Sequence, residues 1–250
     1  MRLLTYVTLL GCFGCSKEQT KIATVEDKHQ DSVIQHSIPR IVEEEEIIDS
    51  LELHMMYAGL IDVQLLNPII CVRLKYSTDT NFLSQNIYGN LQKAYLEENT
   101  AKKLAIAQIR LSKTHPALRL LIWDAARPVS CQQKMWDALE MPSYEKGRYV
   151  SNPKNHSLHN YGCAVDVTLI DSFGEKLDMG TGFDQFDSLA EPRHEQYLVV
   201  NKRLTIEQIS NRVILRNTMR NAGFSGIQSE WWHFNGCSRS FAKTNYQVIR

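Results

Sequence analysis

Two short segments set the strongest constraint on what this chain can fold into: Ser157-Leu-His159-Asn-Tyr-Gly162-Cys-Ala164-Val-Asp166 and, about sixty residues later, Glu230-Trp231-Trp232-His233. Two neutral imidazoles and one carboxylate are a sufficient protein ligand set for a catalytic zinc ion, because a tetrahedral ion held by three side chains keeps a fourth position for water. His159, Asp166 and His233 provide that set, one Zn(2+) per chain, and Glu230 stands three residues before the last ligand, where a general base belongs. Any fold must therefore bring both segments to one point. Taken singly, a histidine beside a strand is a satisfied structural residue and Asp166 a turn or ion-pair residue. In combination they read as a metallohydrolase.

The local pattern supplies the means. After Gly162, Cys163 to Ile170 alternates as a half-buried strand, with Cys163, Val165, Val167 and Leu169 on one face and Ala164, Asp166 and Thr168 on the other. Gly162 lets the backbone turn tightly between the loop carrying His159 and the strand carrying Asp166. Glu230 and His233 would point to opposite faces of a regular strand, so a bend, bulge or helical turn is required there.

The pattern S-x-H-x-x-G-x-A-x-D followed by E-x-W-H resembles the zinc D-Ala-D-Ala dipeptidases of the VanX type, within the larger group of D,D-carboxypeptidases and related peptidoglycan peptidases. Three more segments resemble the dipeptidase branch in particular. They are Asn67-Pro68 through Leu74-Lys75-Tyr76-Ser77-Thr78 to Asn81-Phe82, then Asp124-Ala-Ala-Arg127-Pro128, then Met179-Gly180-Thr181-Gly182-Phe183-Asp184. The resemblance runs over roughly residues 57 to 245 with its elements in order. It implies zinc on His159, Asp166 and His233, proton transfer by Glu230, and Arg127 facing the scissile carbonyl. Attack on an amide creates an oxyanion, and a fixed guanidinium aimed at it binds more strongly as the charge develops; the alternative for Arg127 is a surface ion pair with Asp124. Ser157 and Asp184 are candidates for holding the ammonium end of a free dipeptide, and Asp184 equally suits a turn after Gly180 and Gly182. Ala126 stands where that motif often has an aromatic residue and Tyr161 where a basic one is common, two departures that bear on the substrate pocket and not on the ligands.

The first residues indicate where such an enzyme works. Met1-Arg2, the apolar run Leu3 to Leu10 and a Gly-Cys junction are too short to span a bilayer and read as a signal segment, residues 1–15, resembling that of a bacterial lipoprotein. Cys15 is the expected lipidated residue; Cys12 follows the more ordinary leucine-rich run, and a plain secretory leader is the alternative. Residues 16–50 are polar, with Glu43 to Glu46 in a row, as suits a solvated tether or a short helix. Residues 51–250 then form one domain. With 28 basic against 28 acidic residues the chain carries no nucleic-acid footprint. Cys71, Cys131, Cys163 and Cys237 lack C-x-x-C pairing, which leaves a cysteine zinc site unsupported; one or two disulfides suit an oxidising compartment, with connectivity open.

Strands are expected around 69–76 and 118–123, and helices over about 91–113, over 128–139 and after Thr205, whose spacing to Gln208 is that of a capping box. A final strand carries Glu230 to His233, with Trp231 and Trp232 as wall and core around the site. The order suggests an α+β domain, helices packed on an antiparallel sheet that carries a zinc cleft, and the resemblance implies the same. The expected function is zinc-dependent hydrolysis of D-Ala-D-Ala or a similar small D-amino-acid dipeptide in the bacterial cell envelope, with a lipid anchor to the membrane. The alternatives are a D,D-carboxypeptidase or endopeptidase on peptidoglycan stems, and a non-catalytic envelope-binding lipoprotein. Nothing in the residues fixes the oligomeric state.

Overall fold

A computed structural model describes residues 49–250; the leader with Cys12 and Cys15, and the tether up to residue 48, lie outside the described residues. Among the described residues there are eight helices and seven strands. The helices are α1 (Ser50–Tyr57), α2 (Val63–Leu66), α3 (Glu98–Thr114), α4 (Val129–Ala138), α5 (Ser143–Lys146), α6 (Glu195–Val200), α7 (Ile206–Asn221) and α8 (Arg239–Asn245). The strands are β1 (Ile61–Asp62), β2 (Cys71–Val72), β3 (Tyr95–Leu96), β4 (Arg119–Asp124), β5 (Ala164–Ile170), β6 (Ser225–Gly226) and β7 (His233–Asn235). No described helix is long and apolar enough to cross a membrane.

Five strands form one sheet in the order β2-β4-β5-β7-β6, and β1 pairs with β3 in a separate ladder. The α+β class is as expected. The sheet is antiparallel except at its β2 edge, where β2 runs parallel to β4. Central β5 is buried along its whole length rather than on one face, because each face is covered. Val165, Val167 and Leu169 join a core with Leu104 and Leu111 of α3 and Leu215 and Met219 of α7, while the opposite face carries Asp166 and the site. At about 25 cal/mol per Å² of apolar surface removed from water, this core is the main stabilising term.

The β4–β5 ladder contains an irregularity that matters for the site. Leu121 is paired with Thr168 and Ile122 with Val167, but Asp124, not Trp123, is paired with Asp166. Trp123 is thus the extra residue of a β-bulge. In a regular ladder Asp124 would face Val165 and the core; the bulge puts it on the same side as Asp166.

Element boundaries shift where local signals compete. Helix α3 starts at Glu98, not near Leu91, since Tyr95 and Leu96 are taken up by pairing with β1 and the side chain of Glu97 caps the helix by accepting from Thr100 N–H. Its Gln108, fully buried, accepts from Leu120 N–H at 2.7 Å and so ties helix to sheet. The strand expected over 69–76 is reduced to Cys71–Val72; a 3₁₀ turn over Lys75–Ser77 then carries Tyr76 out of the ladder. The capping box at Thr205 and Gln208 forms as the spacing predicts.

Candidate active site

The loop before β5 is built by local hydrogen bonds. Ser157 and Asn160 form a reciprocal capping box around the 3₁₀ turn Leu158–Tyr161, and Gly162 closes it at φ +65°, a left-handed conformation. A Cβ on Gly162 would lie 2.8 Å from the Glu97 backbone nitrogen, so glycine is required for space as well as for φ. Asn160 also donates to the Arg127 carbonyl at 2.8 Å, and Arg127 N–H donates to the His159 carbonyl at 3.0 Å. The loop bearing His159 and the β4–α4 junction bearing Arg127 are therefore one rigid unit.

His159 Nε2, Asp166 Oδ1 and His233 Nδ1 converge. The three separations are 3.2 Å between the imidazole nitrogens, 3.5 Å from His159 to Asp166 and 3.0 Å from His233 to Asp166. A tetrahedral zinc with bonds of ~2.0–2.2 Å holds its ligand atoms about 3.3 Å apart. The donor set and its spacing fit such an ion. Tautomers are fixed from behind: His159 Nδ1–H donates to the Ala125 carbonyl at 2.7 Å, and His233 Nε2–H donates to Asn235 Oδ1 at 2.8 Å. The nitrogen that each ring turns to the common point, His159 Nε2 and His233 Nδ1, is thereby the one left to ligate. Hydrogen bonding and attraction from Asp166 raise His233 to about 9 against the opposing effect of burial, while the two imidazoles hold Asp166 well below the usual carboxylate range in spite of its burial.

Glu230 lies in the bend before β7, which lets it and His233 face one cavity. Its Oε2 is 3.9 Å from His233 Nδ1, beside the ligand triangle and outside it. Burial raises its carboxyl above the ordinary glutamate value, with His233 opposing the shift, and a raised carboxyl is suited to taking and returning a proton near neutrality.

Arg127 is buried, and the ion pair with Asp124 exists, but inside the protein rather than at the surface. Asp124 takes both Nε and Nη2 of the guanidinium on Oδ2, while its Oδ1 accepts from Tyr88 hydroxyl at 2.7 Å and Ala125 N–H at 2.9 Å. Nη1 donates to Gln132 Oε1 at 2.9 Å, and the group lies 5.4 Å from the centre of the Tyr76 ring. Pairing with Asp124 and facing the cavity are thus compatible.

Tyr76, Ser157 and Asp184 line the same cavity of about 360 Å³ as Arg127, the ligand triad and Glu230. Asp184 sits in a turn at φ +57° and accepts from the Tyr76 hydroxyl at 2.9 Å, so it is a turn residue and part of the cavity wall at once. Burial pushes its carboxyl well above the usual range, the Tyr76 bond opposing and Asp166 reinforcing the shift. Trp232 is cavity wall and core, and Trp231 donates from Nε1 to Thr181 Oγ1 at 2.7 Å. Ala126 and Tyr161 are buried behind the cavity wall, Tyr161 packed with Leu158, which lines it. The sequence reading missed Gln132, Asn160 and Asn235. Asn160 follows Ser157 at capping-box spacing and was readable, whereas Gln132 and Asn235 carried no signal before their partners were known.

A family model described as D-Ala-D-Ala dipeptidase matches residues 56–250. Among curated proteins, the chain is similar to D-alanyl-D-alanine dipeptidase of Escherichia coli (strain K12), 34% identical over 179 residues that cover 70% of this chain and 83% of that protein. It is 30% identical to D-alanyl-D-alanine dipeptidase of Enterococcus faecium over 186 residues, 64% of this chain and 82% of that one. A Synechocystis protein of the same name is 30% identical over 168 residues, 56% of this chain and 68% of its own length.

Proposed function

The chain belongs to the D-Ala-D-Ala dipeptidase family, and on that footing we propose that it hydrolyses D-alanyl-D-alanine or a close D-amino-acid dipeptide, with zinc held by His159, Asp166 and His233. The observation that carries this reading is the convergence of the ligand triangle, Glu230, Arg127 and Asp184 on one cavity. Bound zinc supplies Lewis acidity, polarising the scissile carbonyl and easing loss of a proton from water. Glu230 takes that proton and returns it to the leaving amine. Arg127, held by Asp124 and Gln132 before substrate arrives, meets the developing oxyanion without reorganising. Asp184, braced by Tyr76, receives the substrate ammonium, and that positive charge offsets the burial which otherwise disfavours its ionised form. Ser157, on the same wall, helps to orient that end.

In this reading the enzyme works in the bacterial cell envelope, tethered through lipid on Cys15; the support is the Met1-Arg2 start, the apolar run to Leu10 and the Gly14-Cys15 junction. The test of substrate class is a metal-replete assay of D-Ala-D-Ala against its N-acetyl derivative and the L,L isomer. A dipeptidase that reads the ammonium through Asp184 cleaves only the free D,D compound. Equal turnover of the N-acetyl derivative would establish a D,D-carboxypeptidase instead.

A further inference from the structure

Cys163 immediately precedes β5 and Cys237 lies two residues beyond β7. The ladder between these strands pairs Ala164 with Asn235 and runs one step further, Gly236 N–H donating to the Cys163 carbonyl at 2.8 Å. Cys237 is therefore diagonally across from Cys163. It packs against the small cluster that Cys163 forms with Leu158, Tyr161, Ala164 and Ala242. The turn that delivers it is seated on α3, where a Cβ on Gly236 would come within 2.7 Å of the Thr100 side chain. Burial raises both thiols above the ordinary range, and each bears on the other's titration. Both are thiols in this structure, and the hydrolytic chemistry uses neither.

We propose that Cys163 and Cys237 are a disulfide-forming pair, a covalent cross-link between the end of the strand that carries Asp166 and the end of the strand that carries His233. This goes beyond the hydrolytic reading and does not depend on it. Cys163 is fully buried, whereas Cys237 is partly exposed and lines the active-site cavity, which sets the order of events. With glutathione disulfide as oxidant, the Cys237 thiolate attacks one sulfur, forming a mixed disulfide and releasing one glutathione thiolate. The Cys163 thiolate then attacks Cys237 Sγ and expels the second. One protein disulfide and two reduced glutathiones result, the two thiol protons ending on glutathione. Because burial disfavours both thiolates, exchange in the folded protein is slow at neutral pH and quickens as pH rises.

The experiment equilibrates the full chain with glutathione disulfide at about pH 8, alkylates residual thiols in denaturant, and maps peptides without reduction. One joined peptide containing Cys163 and Cys237 is expected, about 2 Da below the sum of its reduced halves. The oxidised protein should melt about 5–10 °C above the reduced one, since the bridge closes a long loop. Cys237→Ser should abolish that gap while still giving a cooperative melt. Recovery of Cys163 as a free alkylated thiol, of stable glutathione on Cys237, or of either residue joined to Cys71 or Cys131 overturns the proposal.

Discussion

Glu230 has to hold a proton for one part of the proposed cycle and give it up for the other, and its position just outside the ligand triangle separates that duty from metal binding. Glu230→Gln is therefore expected to keep zinc affinity and lose about 10²- to 10⁴-fold in kcat, whereas His159→Ala or His233→Ala loses the metal itself; zinc analysis of the purified variants beside the assay distinguishes the two. Arg127→Ala should lower kcat about 10²- to 10³-fold with little change in KM, and Arg127→Lys recovers only part, because a point ammonium cannot reproduce the fork held by Asp124 and Gln132. A rise in KM alone, with folding and zinc occupancy normal, would sink the oxyanion role. The Asp166–His233 pair makes a pH prediction. In metal-free protein His233 titrates at about 9 and is protonated at neutrality, so capture of an ion expels that proton. Apparent affinity should rise about tenfold per pH unit from neutrality and level near the His233 value. A competition titration with a chromophoric chelator checks the slope. The imidazolium's own stabilising contribution runs the other way: it is complete below about pH 6.5 and lost through about pH 9.

At the level of elements, the loop-to-β5 turn has the least tolerance. Gly162→Ala places a Cβ in a left-handed conformation and against the Glu97 backbone nitrogen, and each effect costs about 1–3 kcal/mol. Urea denaturation should show a loss of that size or larger, and zinc affinity should fall with it because His159 and Asp166 flank the turn. A variant as stable and as well metallated as the parent would contradict the assignment of Gly162 as hinge of the site. This turn was legible in the sequence, since glycine between a histidine-bearing loop and a strand has few other uses. The capping box at Thr205 was legible for the same reason, being a local event. What could not be read were features set by partners far along the chain. Glu97 is an unusual cap, and it starts α3 only because Tyr95 and Leu96 are claimed by β1. The bulge at Trp123 arises from pairing with β5, and the burial of both β5 faces from what packs over them; alternation of residues within one strand reports neither.

On the scale of the whole molecule, the proposed anchor predicts that Cys15→Ser, expressed in a bacterial host, releases the protein from the membrane fraction and abolishes incorporation of labelled fatty acid. Labelling that survives in this variant assigns the lipid to Cys12 instead, and none in the parent removes the anchor. Active-site residues come from both sides of the central strand, so the catalytic parts and the sheet are not separable units. Their competing demands meet at the bulge in β4. Along its length the strand changes phase at Trp123: residues before it keep step with β5 and fill the core, and Asp124 falls out of step to grip Arg127. Were Trp123 to pair with Asp166, the ladder would be unbroken and Asp124 would be turned in against Val165. Regularity and reactivity are opposed quantities in this strand, so repeated selection for thermal stability alone would reward a better-ordered sheet whose arginine has come loose.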